Sequence, residues 1–360
     1  MDELTPDTAV EFSRRRGWLP ADMPASAHAL AWGVSNLVVR VTPETGPDLV
    51  LKQSREKLRV AADWRSRLDR IYREIDALRY LTEILPPGSV PAVIAEDREH
   101  YAFAMEALPA EHRVWKGVLL EGEADPEVAA RLGTMLGTVH SRSSDVAALA
   151  DRFGDTTVFD ELRVDPFYRY VAGKFPEAAE PIGELGRQCL SLKLGLVLAD
   201  FSPKNVLLVP RFDSFGKRTE QVVAVDFETV HVGDPAFDLG FFLSHLLLKT
   251  VKFSDRFHEY AFLTYRFWDA YRAVRKQAAR EGTIAPEMKR KQLFSRTLMH
   301  LAACLWARLD GKSPVDYLTD EPKRHAVREL ARRLLCEPVL LTEWEQVLAA
   351  LRLQMTAAGC

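Results

Sequence analysis

Between residues 196 and 228 the chain carries three short apolar runs, each flanked by acids or amides, and this ordered set constrains the fold more than any other stretch. Leu196 to Ala199 ends at Asp200. The polar loop Phe201-Ser202-Pro203-Lys204 leads to Asn205, and Val206 to Val209 follows at once. Val222 to Val225 then ends at Asp226-Phe227-Glu228. Runs of this length between turn residues read as strands. If the second and third pair as a hairpin, Asn205 and Asp226 come to the same end of it. Residues two apart on an extended chain point the same way, so Asp226 and Glu228 address one place. Four oxygen-bearing groups then meet where strands end. A dry core would not tolerate them, because unpaired carboxylates repel and resist desolvation. A hard divalent cation resolves the repulsion, and Mg²⁺ takes one or two carboxylates together with phosphate oxygens and water. One carboxylate must stay free to accept a proton from a hydroxyl, and Asp200, on the loop, suits that task. Either aspartate alone reads equally well as a turn or cap residue; the ordered set makes the chemical reading.

The flanking sequence divides in two. Leu37 to Val41 and Leu49 to Lys52 are strand-like, with a turn at Pro43 to Pro47. Ile71, Ile75, Leu78, Leu81 and Leu85 recur at helical spacing from Asp69 to Leu85, and Pro86-Pro87-Gly88 stops that helix. Two more strand candidates flank the turn at Asp97 to His100, the second ending in Tyr101-Ala102-Phe103-Ala104-Met105. Beyond Pro109 the pattern turns helical. Pro126 to His140 is one helix, and the stretch from about Phe253 to Cys360 is nearly all helix, broken at Gly282, Gly311 and Pro322. The expected class is α+β, with a small β-rich part over residues 1–108 and a larger, mainly helical part over 109–360.

Composition excludes several functions. The 360 residues carry a formal net charge of −3, which does not suggest a nucleic-acid surface. The basic stretches Arg14-Arg15-Arg16 and Lys289-Arg290-Lys291 are short and read as solvated helix faces. Cys189, Cys304, Cys336 and Cys360 are too scattered for a metal knuckle or redox pair and suit a reducing compartment. The start Met1-Asp2-Glu3 is unlike a signal peptide, and the longest apolar run, Phe237 to Leu248, contains Asp238, Ser244 and His245. The expectation is a cytoplasmic protein with no membrane and no nucleic-acid partner.

The Asp200-to-Glu228 stretch resembles the aminoglycoside phosphotransferase and choline-kinase-like family, and its methylthioribose-kinase branch. Those proteins have an aspartate-initiated catalytic loop, an asparagine five positions on, and a later metal-binding Asp. Val232-Gly233-Asp234-Pro235-Ala236-Phe237-Asp238-Leu239-Gly240 is similar to the family's continuation, in which Asp238 would brace the catalytic loop. Asp226 with Glu228 is more like the methylthioribose-kinase branch, where the second carboxylate also serves the metal. The resemblance implies a two-lobed, protein-kinase-like fold and an ATP-dependent transfer of the γ-phosphate to a hydroxyl of a small molecule. It makes residues 1–108 the nucleotide-binding lobe, with a hinge at its end. It makes 109–360 the lobe with catalytic loop and substrate pocket. Gly33-Val34-Ser35-Asn36 resembles the nucleotide loop, so Gly33, Ser35 and Asn36 are cofactor-binding candidates. An ordinary Gly turn fits that tetrapeptide as well. Lys52 matches the strand lysine that contacts the α- and β-phosphates, and Glu74 the helix glutamate that pairs with it. Glu106 and Leu108 lie in the hinge-like Met105-Glu106-Ala107-Leu108, whose backbone would meet adenine. Asp200 is then the catalytic base, and Asn205, Asp226 and Glu228 hold Mg²⁺.

Two departures stand out. The family usually has His-Gly before the catalytic Asp; here the pair is Leu198-Ala199. That loss motivates an alternative, a pseudokinase that binds nucleotide as a regulatory or scaffold module. The methylthioribose branch usually carries paired arginines late in the helical lobe; here Ala307-Arg308-Leu309 offers one, so Arg308 is a substrate-site candidate, with a plain surface arginine equally open. His140 reads as a capping or packing residue, and Trp64 and Trp115 as core. The acceptor stays open among a sugar such as methylthioribose, an amino alcohol and an aminoglycoside. A polycationic acceptor would need an acidic pocket, which Asp310, Asp316, Asp320 and Glu321 could supply. The oligomeric state implied is a monomer or, as is common in the sugar-kinase branch, a homodimer.

Overall fold

The computed structural model describes residues 3–30, 36–57, 65–212, 216, 218–283, 290–337 and 341–360. The chain forms two compact units, Met1–His112 with Leu207–Thr229, and Arg113–Val206 with Val230–Cys360. The sequence placed one boundary, between residues 108 and 109; the first unit runs slightly further and also takes back a segment a hundred residues downstream. That segment holds most of the hairpin Val206–Phe212 and Arg218–Ala224, whose strands pair as expected. The Ala224 amide donates to the Ser89 carbonyl at 2.9 Å, which seats the hairpin's end in the first unit. A separation of that size is invisible to periodicity, which reports only neighbours along the chain.

The first unit is built on an antiparallel sheet. Its strands are β1 (Ala25–Ala29), β2 (Asn36–Pro43), β3 (Leu49–Ser54), β4 (Val93–Asp97) and β5 (Ala102–Glu106), in the order β1-β2-β3-β5-β4. β2 alternates buried Leu37, Val39 and Val41 with half-buried Val38, Arg40 and Thr42, the pattern of a strand with one face on the core. β3 lies between β2 and β5 and is buried at all six positions. Helix α1 (Pro6–Arg15) packs Ala9 and Phe12 against Leu37, Val39, Leu49 and Ala104. The sequence reading did not single it out, although Thr5 caps it through the Thr8 amide. Helix α2 (Arg70–Ile84) buries Ile71, Ile75, Leu78 and Leu81, as the spacing predicts, and buries Arg70 and Glu74 as well. Lys52 is paired in register with Val38 on one side and Phe103 on the other, at the centre of the sheet.

The second unit is mainly helical. Its central helix, Ala236–Lys252, is buried from Ala236 through Val251, as befits an almost continuous apolar run. Against it pack helices Phe257–Arg280, Arg290–Asp310 and Glu321–Cys336, and Pro126–Arg142 and Trp344–Ala357 pack on Phe257–Arg280. The strand expected over Leu196 to Ala199 is shorter, Gly195–Val197, and pairs with His231–Gly233. Pro322 does not break a helix. It sits in the first turn of Glu321–Cys336, where its missing N–H costs nothing. Asp160–Arg169 is wound wider than an α-helix and contains Pro166, a form often found near functional residues. Among the described residues no helix is long and apolar enough to cross a membrane.

Gly240 explains how closely two of these helices pack. A Cβ there would sit 2.5 Å from both the His300 Cβ and the Leu301 backbone nitrogen. Gly240→Ala is therefore expected to destabilise the chain by about 2 kcal/mol through overpacking, read as a lower urea midpoint at unchanged slope.

Candidate active site

In the first unit, burial gathers charge at one end of β3. The Lys52 ammonium lies 2.7 Å from a Glu74 carboxylate oxygen and 2.7 Å from Asp226 Oδ1. Glu228 accepts from Arg70 Nε at 3.0 Å and from Asn36 Nδ2 at 2.8 Å. Oxygens of Glu74, Asp226 and Glu228 all lie within 4.8 Å of one another. In these contacts three carboxylates lie against two cations, Lys52 and Arg70, a formal excess of one negative charge when all are ionised. The titration behaviour follows. Burial pulls the Lys52 pKa down, but Asp226, Glu74 and Glu228 more than offset it and leave it above the ordinary value. Burial pushes the Glu74 carboxyl up, Lys52 opposes, and the neighbouring Asp226 and Glu228 add to the rise. A set of hard oxygen donors with excess negative charge fits a cation such as Mg²⁺.

Asp226 and Glu228 face one place for a different reason from the one expected. The strand ends at Ala224, and Asp226 adopts a left-handed backbone, φ +72°. Extended alternation therefore does not reach Glu228. A non-glycine residue in that region costs roughly 1–3 kcal/mol and persists where its surroundings hold it; here the Lys52 ion pair does so.

The second unit holds Asp200 by three donors. Arg163 Nη2 reaches Oδ1 at 2.8 Å, and Lys204 Nζ and Asn205 Nδ2 reach Oδ2 at 2.7 and 2.9 Å. Asn205 Nδ2 also donates to the Asp200 carbonyl at 3.0 Å, which leaves Oδ1 as the only amide atom able to meet a cation. The loop before Asp200 is braced from Asp238, which is fully buried. Its two oxygens accept the Leu198 and Ala199 amides at 2.7 Å each, and His140 Nε2 lies 3.1 Å from Oδ2. His140 Nδ1 meets the Tyr271 hydroxyl at 3.1 Å. Arg163 Nε donates to the Ala199 carbonyl at 2.7 Å. Ala199 itself has φ +61°, the conformation for which glycine would be the natural choice. The loop that lacks His-Gly is thus held by a buried carboxylate and a buried guanidinium.

The remaining candidates fall as follows. Gly33 and Ser35 lie outside the described residues, as does Trp64. Asn36 opens β2 with its side chain on Glu228. The Glu106 amide donates to the Ala92 carbonyl at 2.8 Å, and the Leu108 carbonyl accepts from Arg40 Nη1 at 2.9 Å. Arg308 is half-buried: its Nη1 donates to Ser313 Oγ at 3.3 Å, and burial lowers its pKa. Trp115 is buried against Phe242, ring centroids 6.0 Å apart. The four acids that might have made an acidic pocket are engaged elsewhere. Asp310 pairs with Arg324 and Arg328, Glu321 with the same two arginines, and Asp316 with Lys116, while Asp320 caps its helix.

Arg70, Arg163 and Lys204 were missed as partners of the candidate carboxylates. Arg70 had a signal, since it stands one helical turn before Glu74 and must share its face. Lys204 was in view as part of the loop, without a role. Arg163 had none; its contact spans 37 positions of sequence from an irregular helix.

Residues 26–277 match the family described as APH, phosphotransferase enzyme family. The methylthioribose kinase of Pectobacterium carotovorum subsp. carotovorum (strain PC1) is 27% identical over 265 residues, covering 68% of this chain and 66% of that protein. The methylthioribose kinase of Geobacillus sp. (strain WCH70) is 24% identical over 363 residues, covering 92% and 90%. Among solved structures, a choline/ethanolamine kinase family protein from Mesorhizobium loti superposes with a TM-score of 0.45 at 18% identity, covering 96% of this chain and 99% of that one.

Two substitutions test the geometry. Arg70→Met should leave Glu228 without its cation and cost about 3 kcal/mol or more in urea denaturation. Ala199→Gly should stabilise by about 0.5–1 kcal/mol, since it releases left-handed strain larger than glycine's extra chain entropy; at an ordinary backbone angle the same change would destabilise.

Proposed function

The chain belongs to the phosphotransferase enzyme family, and we propose that it is an ATP-dependent small-molecule kinase in which Asp200 is the base and Lys52 the phosphate contact. The observation that carries this reading is the ion pair of Lys52 with Glu74 and Asp226. A lysine held by a helix carboxylate is the arrangement that presents an ammonium to nucleotide phosphates. The side chains of Asp226 and Glu228, with Asn205 Oδ1, would hold Mg²⁺, which neutralises phosphate charge when bound. By the family resemblance, Gly33, Ser35 and Asn36 would contact the phosphates. Adenine meets backbone between Glu106 and Leu108.

In the reaction the acceptor hydroxyl oxygen bonds to the γ-phosphorus as the bond to the β–γ bridging oxygen breaks. The hydroxyl proton goes to Asp200, and ADP leaves. Arg163, Lys204 and Asn205 keep the carboxylate aimed, so catalysis is mainly positioning and charge neutralisation. The missing histidine is the ground for the pseudokinase alternative, and the brace from Asp238 and Arg163 weighs against it. The acceptor is a small hydroxylated molecule, with sugars first because both relatives named above are methylthioribose kinases. Engagement of Asp310, Asp316, Asp320 and Glu321 with basic groups and a helix end weighs against a polycationic aminoglycoside. The four cysteines are free, in keeping with a reducing cytoplasm. The working form is a monomer or homodimer.

Phosphate transfer from radiolabelled ATP to a panel of hydroxylated metabolites is the test. Asp200→Asn should lower kcat by about 10²–10⁴ with the best acceptor while its melting temperature stays close to that of the wild type. A variant as fast as the wild type would remove Asp200 from the role of base.

A further inference from the structure

A second charged cluster, in the helical unit, has the opposite imbalance. His245 and Lys249 stand one turn apart on the Ala236–Lys252 helix, 6% and 1% exposed. Lys249 Nζ donates to the His245 carbonyl at 3.3 Å and lies 5.0 Å from the Tyr317 ring centroid. Lys116 Nζ lies 5.8 Å from the same ring. Among the described residues no carboxylate forms an ion pair with Lys249 or Arg308. The acid in reach is Asp316, whose side chain is 80% exposed and 3.5 Å from Lys116. Three buried polar atoms, His245 Nε2, Arg308 Nε and the Tyr317 hydroxyl, have no hydrogen-bond partner among the described residues.

Buried cations are ordinarily paired, and a buried polar atom ordinarily has a partner. This cluster meets neither rule. Its members also press on one another. Burial first, then Lys116 and Arg308, brings the Lys249 pKa down to about 7, with Asp316 opposing. Burial first, then Arg308, Lys249, Lys204 and Lys116, puts His245 well below its ordinary value. Burial lowers Arg308 too, while Tyr317 and Asp200 raise it. Arg163, which pairs with Asp200, lies 6.0 Å from the Phe167 ring centroid and Arg308 lies 5.9 Å from the same centroid, which places the cluster near the candidate base.

We propose that Lys249, Arg308, His245, Lys116 and the Tyr317 hydroxyl form an anion subsite that receives a carboxylate or phosphate group of the acceptor while Asp200 takes its hydroxyl. This rests on the kinase reading and narrows it: the acceptor is a hydroxy acid, a sugar acid or a phosphorylated sugar. An anion would supply the missing acceptor atoms for Arg308 Nε and for the lysine ammonium, and would remove the repulsion among the cations.

Two measurements on the full chain test it. In the first, ATP-dependent phosphorylation is compared for matched acceptors, glycerate against glycerol, gluconate against sorbitol, and ribose 5-phosphate against ribose. The charged members should be preferred, and the carboxylate and phosphate arms show which anion is taken. Lys249→Met should raise KM for the preferred charged acceptor about ten- to a hundredfold, with a smaller change in kcat. It should melt no lower than the wild type, because a buried unpaired charge has gone. Preference for the uncharged members, or an unchanged KM in Lys249→Met, would overturn the subsite and leave the kinase reading standing. In the second, calorimetry follows inorganic phosphate and glycerate binding in the presence of a saturating non-hydrolysable ATP analogue. Binding to the wild type that is lost in Lys249→Met supports the subsite even if no acceptor turns over. Equal binding, or none to either protein, overturns it. A magnesium-dependent thermal shift with ATP reports separately on the kinase reading.

Discussion

A carboxylate sealed from water governs the loop that carries Asp200. Asp238 cannot be left without donors, because burying an uncompensated charge costs several kcal/mol. Two backbone amides and a histidine supply them. The amides are those of Leu198 and Ala199, so satisfying Asp238 also sets the backbone that delivers Asp200. The left-handed turn at Ala199 is the conformational cost of presenting both amides to one carboxylate. Arg163 closes the other side, donating to the Ala199 carbonyl and to Asp200. These contacts fix the loop's backbone from both sides.

The two units show the same electrostatic rule with opposite signs. In the first, Glu74, Asp226 and Glu228 outnumber Lys52 and Arg70. In the second, Lys116, Lys249 and Arg308 outnumber the acid within reach. Unbalanced buried charge is costly and is relieved either by a shift toward the neutral form or by a counter-ion. A negative surplus made of hard oxygens calls for a divalent cation, and a positive surplus with unmet donors calls for an anion. A phosphotransferase needs both, one for the nucleotide's metal and one wherever an acceptor carries negative charge.

Much of this was legible in the sequence. The apolar spacing of α2 and the alternation in β2 follow from helix and strand periods, which depend on near neighbours alone. The order Asp200, Asn205, Asp226, Glu228 could be read because each residue stands at the end of an apolar run. Less legible was the company these residues keep. Strand alternation stops short of Glu228 because Asp226 takes a left-handed backbone angle that no residue pattern announces. Arg163 and Lys249 gave no warning, since an arginine or lysine in a helix reads as solvated until its burial is known.

Read alone, the amino-acid order gives most element types, the placing of Asp200 on a loop between two strands, and the resemblance to the family. These rest on local periodicity and on residue identities at short spacing. Folding settles which cation serves which carboxylate, how the loop before Asp200 is held, and that Lys249 is buried with no carboxylate paired to it among the described residues. Those outcomes turn on desolvation and on contacts between residues far apart in the chain, and neither exists until the chain has folded.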